Sequence, residues 1–409
     1  MSQETLDRFR QTVLHLPALQ EQLWAVSDPD AFLDLVRQLG AEQGYSFTAE
    51  DVKAALYVSR REWRERGELT TIKVKLDGWI PIRVGRRGAQ TVVEWCYLGK
   101  RRFSEPFFEQ TVAACLWHPF NRFFRHQTPI DALAEHQESQ PGLPPTGFIF
   151  HMSRCGSTLI AQMLASLPQA IVIAEAEPID AVLRAHFHDP TVSDEQRLTW
   201  LQWVVSALGC RRDAREQHLF VKFDSWSVMD LPLIRRAFPG VPWLFVYRDP
   251  VEVMVSHAKM RGSQMIPGVI EPALLGLNAA EIQHMSLDEY CARTLARICG
   301  AAAQYGQDGE GLFVNYRQLP EAVWSSLLDF FGVAHTTADI DRMRHVAQFH
   351  AKSPSIPFAG DTAAKQRAAT DDLRRLNDQW VRPQYQRLVE LQVRQTQWLR
   401  SRTARAASR

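Results

Sequence analysis

The sequence predicts an α/β fold: a mostly parallel sheet with helices on both faces, preceded by a small helical N-terminal domain and a mixed α+β middle region. Three observations predict it. Short apolar runs at 147–152, 170–174, 219–223, 243–247 and 312–314 have the length of buried strands, and stretches of helical periodicity separate them. The first run passes through a polar turn, Ser153 to Thr158, into an apolar-periodic helix from Leu159 to Leu167. Residues 1–60 carry helical spacing and helix punctuation instead.

Taken in order, Leu6, Phe9, Val13 and Leu14 form one helical face, which Pro17 ends or kinks before Leu19 and Leu23. Ser27 or Asp28 can cap a second helix with Pro29 near its first position, and Phe32, Leu35, Val36 and Leu39 follow at helical spacing. Gly40 and Gly44 are stop candidates, and Thr48 with Asp51 forms a capping-box signal ahead of Val52, Ala55 and Leu56. Residues 61–140 read as a mixed α+β region and linker. Thr71–Leu76, Ile80–Val84 and Thr91–Leu98 are strand candidates, with turn signals at Asp77-Gly78 and at Gly85 to Gly88. A helical stretch after Pro106 places Phe107, Phe108, Trp117, Phe120, Phe123 and Phe124 in a core. Glu135 to Pro145 reads as the linker. Residues 141–370 form the α/β domain, with helices expected over Leu198–Leu208 and Leu287–Ala303, and residues 371–409 a C-terminal helix and basic tail.

Composition excludes several classes. Lys and Arg number 47 against 46 Asp and Glu, so no general affinity for nucleic acid is expected. The polar start, Met1 to Arg10, is unlike a secretory signal, and no apolar run reaches the length of a membrane span. The six cysteines, at 96, 115, 155, 210, 291 and 299, are scattered without a C-x-x-C pair, which fits reduced thiols in the cytoplasm better than disulfides or a zinc site. No metal is expected, since no His/Cys/Asp cluster has ligand spacing.

The strand–turn–helix from Phe148 to Leu159 has the P-loop-type geometry of a phosphate cradle. N–H groups at a helix start are unpaired and the helix dipole favours an anion there. Gly156 allows close backbone approach, Ser157 and Thr158 add hydroxyls, and Arg154 adds a fixed charge. The turn lacks both the first Gly and the Lys of G-x-x-x-x-G-K-[ST], which argues against a nucleoside triphosphatase. Cys155 is read as a small residue that fits the turn. Further along, a strand delivers Arg248 from Trp243-Leu-Phe-Val-Tyr-Arg-Asp-Pro, and the helix opened by Pro250 carries Ser256. A guanidinium and a hydroxyl so placed suit a phosphate clamp.

These two stretches resemble the sulfotransferase family. Its 5′-phosphosulfate loop has the form Pro-[Lys/Arg]-Ser-Gly-[Ser/Thr]-Thr; here Arg154, Gly156, Ser157 and Thr158 match, while Ser153 and Cys155 depart from it. Its 3′-phosphate element is a strand-end Arg followed eight positions later by Ser, as Arg248 and Ser256 stand here. Glu175 stands twenty-one residues after Arg154, the spacing of a catalytic Glu in tyrosylprotein sulfotransferases, with Glu177 as the other nearby acid. Lys222 resembles the family's strand-end Lys beside the transferring sulfonate, and Asp224 stands where cytosolic members carry a His base. Val314-Asn-Tyr316-Arg-Gln-Leu319 is similar to a family Tyr-Glu-Asp-Leu, without its acids, and Lys352 to Lys365 lies where the family closes a basic loop over the donor. The resemblance covers about residues 145–365 and is carried by these short motifs.

The resemblance implies 3′-phosphoadenosine 5′-phosphosulfate as co-substrate and a hydroxyl acceptor, a small molecule or a peptide. Glu175 would be the general base; Arg154, Lys222 and the turn N–H groups of Cys155, Gly156, Ser157 and Thr158 would stabilise the leaving phosphate; Arg248 and Ser256 would hold the 3′-phosphate. The competing readings are a nucleotide-dependent kinase-like P-loop enzyme and a non-catalytic peptide-binding protein with a relic fold. Over residues 1–60, Phe9, Leu19-Gln-Glu-Gln-Leu23, Asp28-Pro-Asp-Ala-Phe32 and Gly44-Tyr-Ser-Phe-Thr48 resemble the nitrogen-fixation-type (Nif-eleven) leader-peptide family, which implies a link to peptide recognition or modification.

Overall fold

The computed structural model describes residues 2–59, 63–64, 69, 76–307 and 311–407. The chain divides into two compact units: residues 1–144 with 176–182 and 199–216, and residues 145–175 with 183–198 and 217–409.

The first unit opens with helices α1 (Ser2–His15), α2 (Pro17–Trp24), α3 (Pro29–Glu42) and α4 (Ala49–Tyr57). Their starts follow the punctuation. Pro17 and Pro29 occupy first positions, the Asp28 side chain accepts from Ala31 N–H at 2.9 Å, and Thr48 with Asp51 closes a capping box. Leu6, Phe9, Val13, Leu23, Phe32, Val36 and Val52 are buried. Leu33 is buried in the place expected for Leu35, because the inward stripe of α3 is set by Phe32, Val36 and Leu39 one turn apart.

Strands β1 (Trp79–Arg87) and β2 (Gln90–Tyr97) pair antiparallel, and β3 (His126–Pro129) adds to β2. The hairpin turns at Gly88, whose φ of 60° needs glycine, so Gly85 to Arg87 continue the strand rather than turning. The expected strand Thr71–Leu76 falls mostly outside the described residues. Helices Phe108–Leu116 and Pro119–Phe123 supply the aromatic core, with Phe108, Phe120, Phe123 and Phe124 buried. Trp117 departs from expectation: it is 79 % exposed, at the C-cap of the first of these helices. The expected linker begins as helix, Ala132–Ser139. The N-terminal helices belong to this same core: Phe32 meets Phe123 edge-on at 6.0 Å, and buried Gln20 accepts from Trp79 Nε1–H at 2.9 Å.

The second unit is the predicted α/β fold. Strands β4 (Pro145–His151), β5 (Ala170–Ala174), β6 (His218–Lys222), β7 (Trp243–Tyr247) and β8 (Gly311–Asn315) form a five-stranded sheet in the order β5-β6-β4-β7-β8, every neighbouring pair parallel. Every residue of β5 and β7 is buried, as a sheet covered on both faces requires. Helices Ser157–Ala165, Pro250–Lys259 and Leu287–Tyr305 flank it. The C-terminal helix runs Arg382–Ala407 and buries Leu388. The carboxyl ends of β4, β5, β6 and β7 all point to one edge, where ligands of open α/β sheets bind.

Candidate active site at the carboxyl edge of the sheet

The turn after β4, Ser153–Gly156, is left-handed at three of its four residues, Ser153 (φ 80°), Arg154 (φ 52°) and Gly156 (φ 91°), and leads directly into helix Ser157–Ala165. Successive N–H groups in such a turn face a common concavity ahead of the helix dipole. Gly156 is obligatory in space as well as in φ: a Cβ there would lie 2.7 Å from Leu319 Cδ1 and 2.9 Å from Tyr316 Cδ2. Ser157 and Thr158 are buried at the helix start. The Arg154 guanidinium donates to Met260 O at 2.9 Å. The Cys155 thiol donates inward to Val246 O at 3.1 Å, and burial pushes it up to about 11, so this group stays a neutral thiol.

Ser153, where the resemblance expects Pro, is tied down by side chains that the sequence reading passed over. Its N–H donates to His151 Nδ1 at 3.1 Å. Its hydroxyl meets His257 Nε2 at 3.2 Å and accepts from Gln264 Nε2 at 2.8 Å. His257 is fully buried, and its Nδ1 accepts from Gly262 N–H at 3.2 Å, which puts the ring proton on Nε2. Burial, then the charges of Arg154 and Arg261, press His257 down to about 3, so it is neutral.

Glu175 follows β5 with φ 56°, and its N–H donates to Lys222 O at 2.7 Å. Its carboxylate accepts from Lys222 Nζ, at the end of β6, and lies 3.2 Å from His151 Nε2, at the end of β4. Burial acts to raise the Glu175 carboxyl; the Lys222 charge and the His151 bond override it and hold the group well below the usual carboxylate range. His151 is itself pressed down by burial and then by Lys222, and it keeps its proton on Nε2 between Glu175 and Phe223 O. Lys352, in the turn between short strands β9 (Phe349–His350) and β10 (Ser353–Pro357), is lowered to about 8 by burial and by the Arg154 charge, with Glu175 acting the other way. Glu177 is not part of this cluster: it accepts from Val84 N–H at 3.3 Å and lies 3.8 Å from Arg83, within the first unit.

Arg248 follows β7 and is buried. Its Nε donates to Glu252 Oε2 at 2.6 Å, its Nη2 reaches Asp361 Oδ1 at 2.7 Å and Thr362 Oγ1 at 3.2 Å, and its plane lies 4.0 Å from the centre of the Tyr316 ring. Burial opposes its charge, while Asp361 and Glu252 sustain it. Asp249 caps the following helix through Val251 N–H at 3.0 Å. Ser256 is on that helix, one turn along from Glu252, but its hydroxyl donates to Glu252 O at 2.9 Å rather than joining Arg248. Among the described residues, no group of three or more His, Cys, Asp and Glu is placed to hold a metal. No helix of the described residues is long and apolar enough to cross a membrane.

The Nif11 domain family matches residues 1–52. Among solved structures, the chain is similar in fold to a sulfotransferase from Alicyclobacillus acidocaldarius, with 16% identity, 61% of this chain and 95% of that chain covered, and a TM-score of 0.37. It is likewise similar to the sulfotransferase domain from the curacin biosynthetic pathway, with 16% identity, 58% and 98% covered, and a TM-score of 0.34. A third likeness is to the sulfotransferase domain of the Synechococcus PCC 7002 olefin synthase, with 17% identity, 57% and 88% covered, and a TM-score of 0.31. No curated protein matches the chain.

Proposed function

We propose that the second unit is a sulfotransferase that moves a sulfonate from 3′-phosphoadenosine 5′-phosphosulfate to a hydroxyl acceptor on a peptide or natural product. The observation that carries this reading is the left-handed turn Ser153–Gly156 at the same sheet edge as the Lys222–Glu175 pair and Arg248. The turn suits a 5′-phosphosulfate, and the buried guanidinium suits the 3′-phosphate. Lys222 and Arg154 then face the charge that grows on the leaving phosphate. Glu175 removes the acceptor proton. It is a weak base while paired, but an anion beside Lys222 offsets the charge that depresses it, so donor binding raises its basicity. The leader-like start favours a peptide acceptor. The free cysteines suit a reducing, cytoplasmic setting.

Calorimetric titration with adenosine 3′,5′-bisphosphate and with ATP tests the reading. Tight binding of the bisphosphate alone, lost in Arg248→Ala, supports it. Tight binding of ATP instead favours the kinase-like alternative and overturns it. Glu175→Gln then serves as the turnover control once an acceptor is in hand; donor binding without turnover on any acceptor favours the peptide-binding relic.

A further inference from the structure

Arg248 already has its anions. Its Nη2 lies 2.5 Å from Glu252 Oε2 and 2.7 Å from Asp361 Oδ1, so a phosphate that binds this guanidinium through Nη2 takes the place of one of them. The two carboxylates differ in how firmly they are held. The Glu252 side chain is 2 % exposed, sits in helix Pro250–Lys259 that begins just after Arg248, and also accepts from Thr362 Oγ1 at 3.1 Å and Gln366 Nε2 at 3.3 Å. The Asp361 side chain is 46 % exposed and comes from a separate segment, at the head of helix Thr362–Ala368. Asp361 is therefore the one that leaves.

Its local role supports the same assignment. An Asp at a helix N-cap ordinarily accepts a hydrogen bond from the first-turn N–H groups. Asp361 stands at that position and makes no such bond. Its carboxylate is directed instead to Arg248 through Oδ1 and to Lys365 through Oδ2, at 2.7 Å. One anion held between a guanidinium and an ammonium is in the environment a phosphate monoester would seek.

We propose that Asp361 stands in for the donor's 3′-phosphate: its carboxylate occupies Arg248 and Lys365, and a nucleotide places a 3′-phosphate there by displacing it. The inference rests on the donor-site reading given above. A phosphate dianion carries more charge than the single carboxylate and replaces its contacts to Arg248 and Lys365. A nucleotide without a 3′-phosphate leaves the carboxylate in place. The bound carboxylate also lowers the apparent affinity for the correct nucleotide, which scales with the fraction of molecules in which the carboxylate has left.

The test is calorimetric titration of the full chain with adenosine 3′,5′-bisphosphate and with adenosine 5′-monophosphate, for wild type, Asp361→Asn, Asp361→Ala and Arg248→Ala. Thermal unfolding checks that each variant is folded. Removing the competing charge is expected to tighten bisphosphate binding by roughly tenfold in both Asp361 variants, with the monophosphate unchanged. Bisphosphate binding that is lost in Arg248→Ala but equal or weaker in the Asp361 variants overturns this inference and leaves the donor site standing. Equal tightening of both nucleotides also overturns it, since the segment would then be a general cover. Failure of the bisphosphate to bind any of the proteins sinks the donor-site reading itself.

Discussion

Replacing Lys222 by Met inverts the pH dependence that Glu175 imposes on the second unit. In the wild-type protein the Glu175 carboxyl is held well below its unfolded value of about 4.3. It therefore contributes stability that is present above that pH and is lost as pH falls through the folded value. Lys222→Met removes the charge chiefly responsible. Burial is then the leading influence, the His151 bond at 3.2 Å offsets only part of it, and the carboxyl rises above its unfolded value. Leaving the carboxylate charged and without its partner would cost about 3–5 kcal/mol. Protonating it instead costs about 1.4 kcal/mol for each pH unit above the unfolded value of about 4.3. At about pH 6 that is roughly 2.3 kcal/mol, less than the cost of the unpaired charge, so protonation wins. Stability in the variant is then full at about pH 4 and falls as pH rises towards about pH 7. Urea denaturation followed by hydrogen exchange of β5 and β6 peptides reports the second unit alone. Subtracting the double variant Lys222→Met/Glu175→Gln isolates the group. A difference that is flat, or that rises with pH, refutes the reasoning.

Gly156→Ala forces a left-handed alanine, about 1–2 kcal/mol, and drives a methyl into Leu319 and Tyr316 at 2.7 and 2.9 Å. A total loss of roughly 2–4 kcal/mol is expected in thermal unfolding, and bisphosphate affinity falls with it. The Cys155 thiol, pushed up to about 11 and aimed at Val246 O, should resist iodoacetamide at about pH 8; peptide mass spectrometry should find it unmodified until urea unfolds the second unit. Removal of residues 1–52 uncovers Phe123 and takes away the Gln20 partner of Trp79; the truncated chain is expected to aggregate on purification by gel filtration, whereas a separately folding leader-like domain would leave it monodisperse.

The sheet was legible because a strand covered on both faces must be a nearly unbroken apolar run. The runs ending at Ala174 and Tyr247 coincide with β5 and β7 to the residue. β3 was not legible, since His126-Gln-Thr-Pro129 has no apolar alternation and is held by its pairing to β2. Trp117 misled because bulk and hydrophobicity do not report position on a helix cap. In the site, residues fixed by local chain geometry could be read: the cradle, Glu175, Lys222 and Arg248 each stand at or just after a strand end. Their partners could not. His257, Gln264 and Asp361 reach the site from distant segments, and only folding sets those distances. His151 did leave a signal, a lone ionisable residue in the run Phe148-Ile-Phe-His-Met152, where burying it demands a polar partner.

The backbone bears independently on the roles proposed for these residues. Among the described residues, the non-glycine positions with positive φ are Ser153, Arg154 and Glu175. Each such conformation costs on the order of 1–3 kcal/mol and persists only where surrounding contacts impose it. Here the contacts can be named. Ser153 is fixed through its N–H by His151 and through its hydroxyl by His257 and Gln264. Arg154 is held at its far end by Met260 O, and Glu175 by its N–H on Lys222 O and its carboxylate on Lys222 Nζ. Apart from the Glu175 N–H bond, which continues the β5–β6 ladder by one step, none of these ties fills the apolar core or extends the sheet. They act on two adjacent residues of the turn and on one carboxylate beside it. A fold indifferent to the position of these groups would have relaxed them or placed glycine there, as it does at Gly88 in the hairpin turn. In the proposed reading, the strain is concentrated where an anion and a proton acceptor are held in place before any ligand arrives.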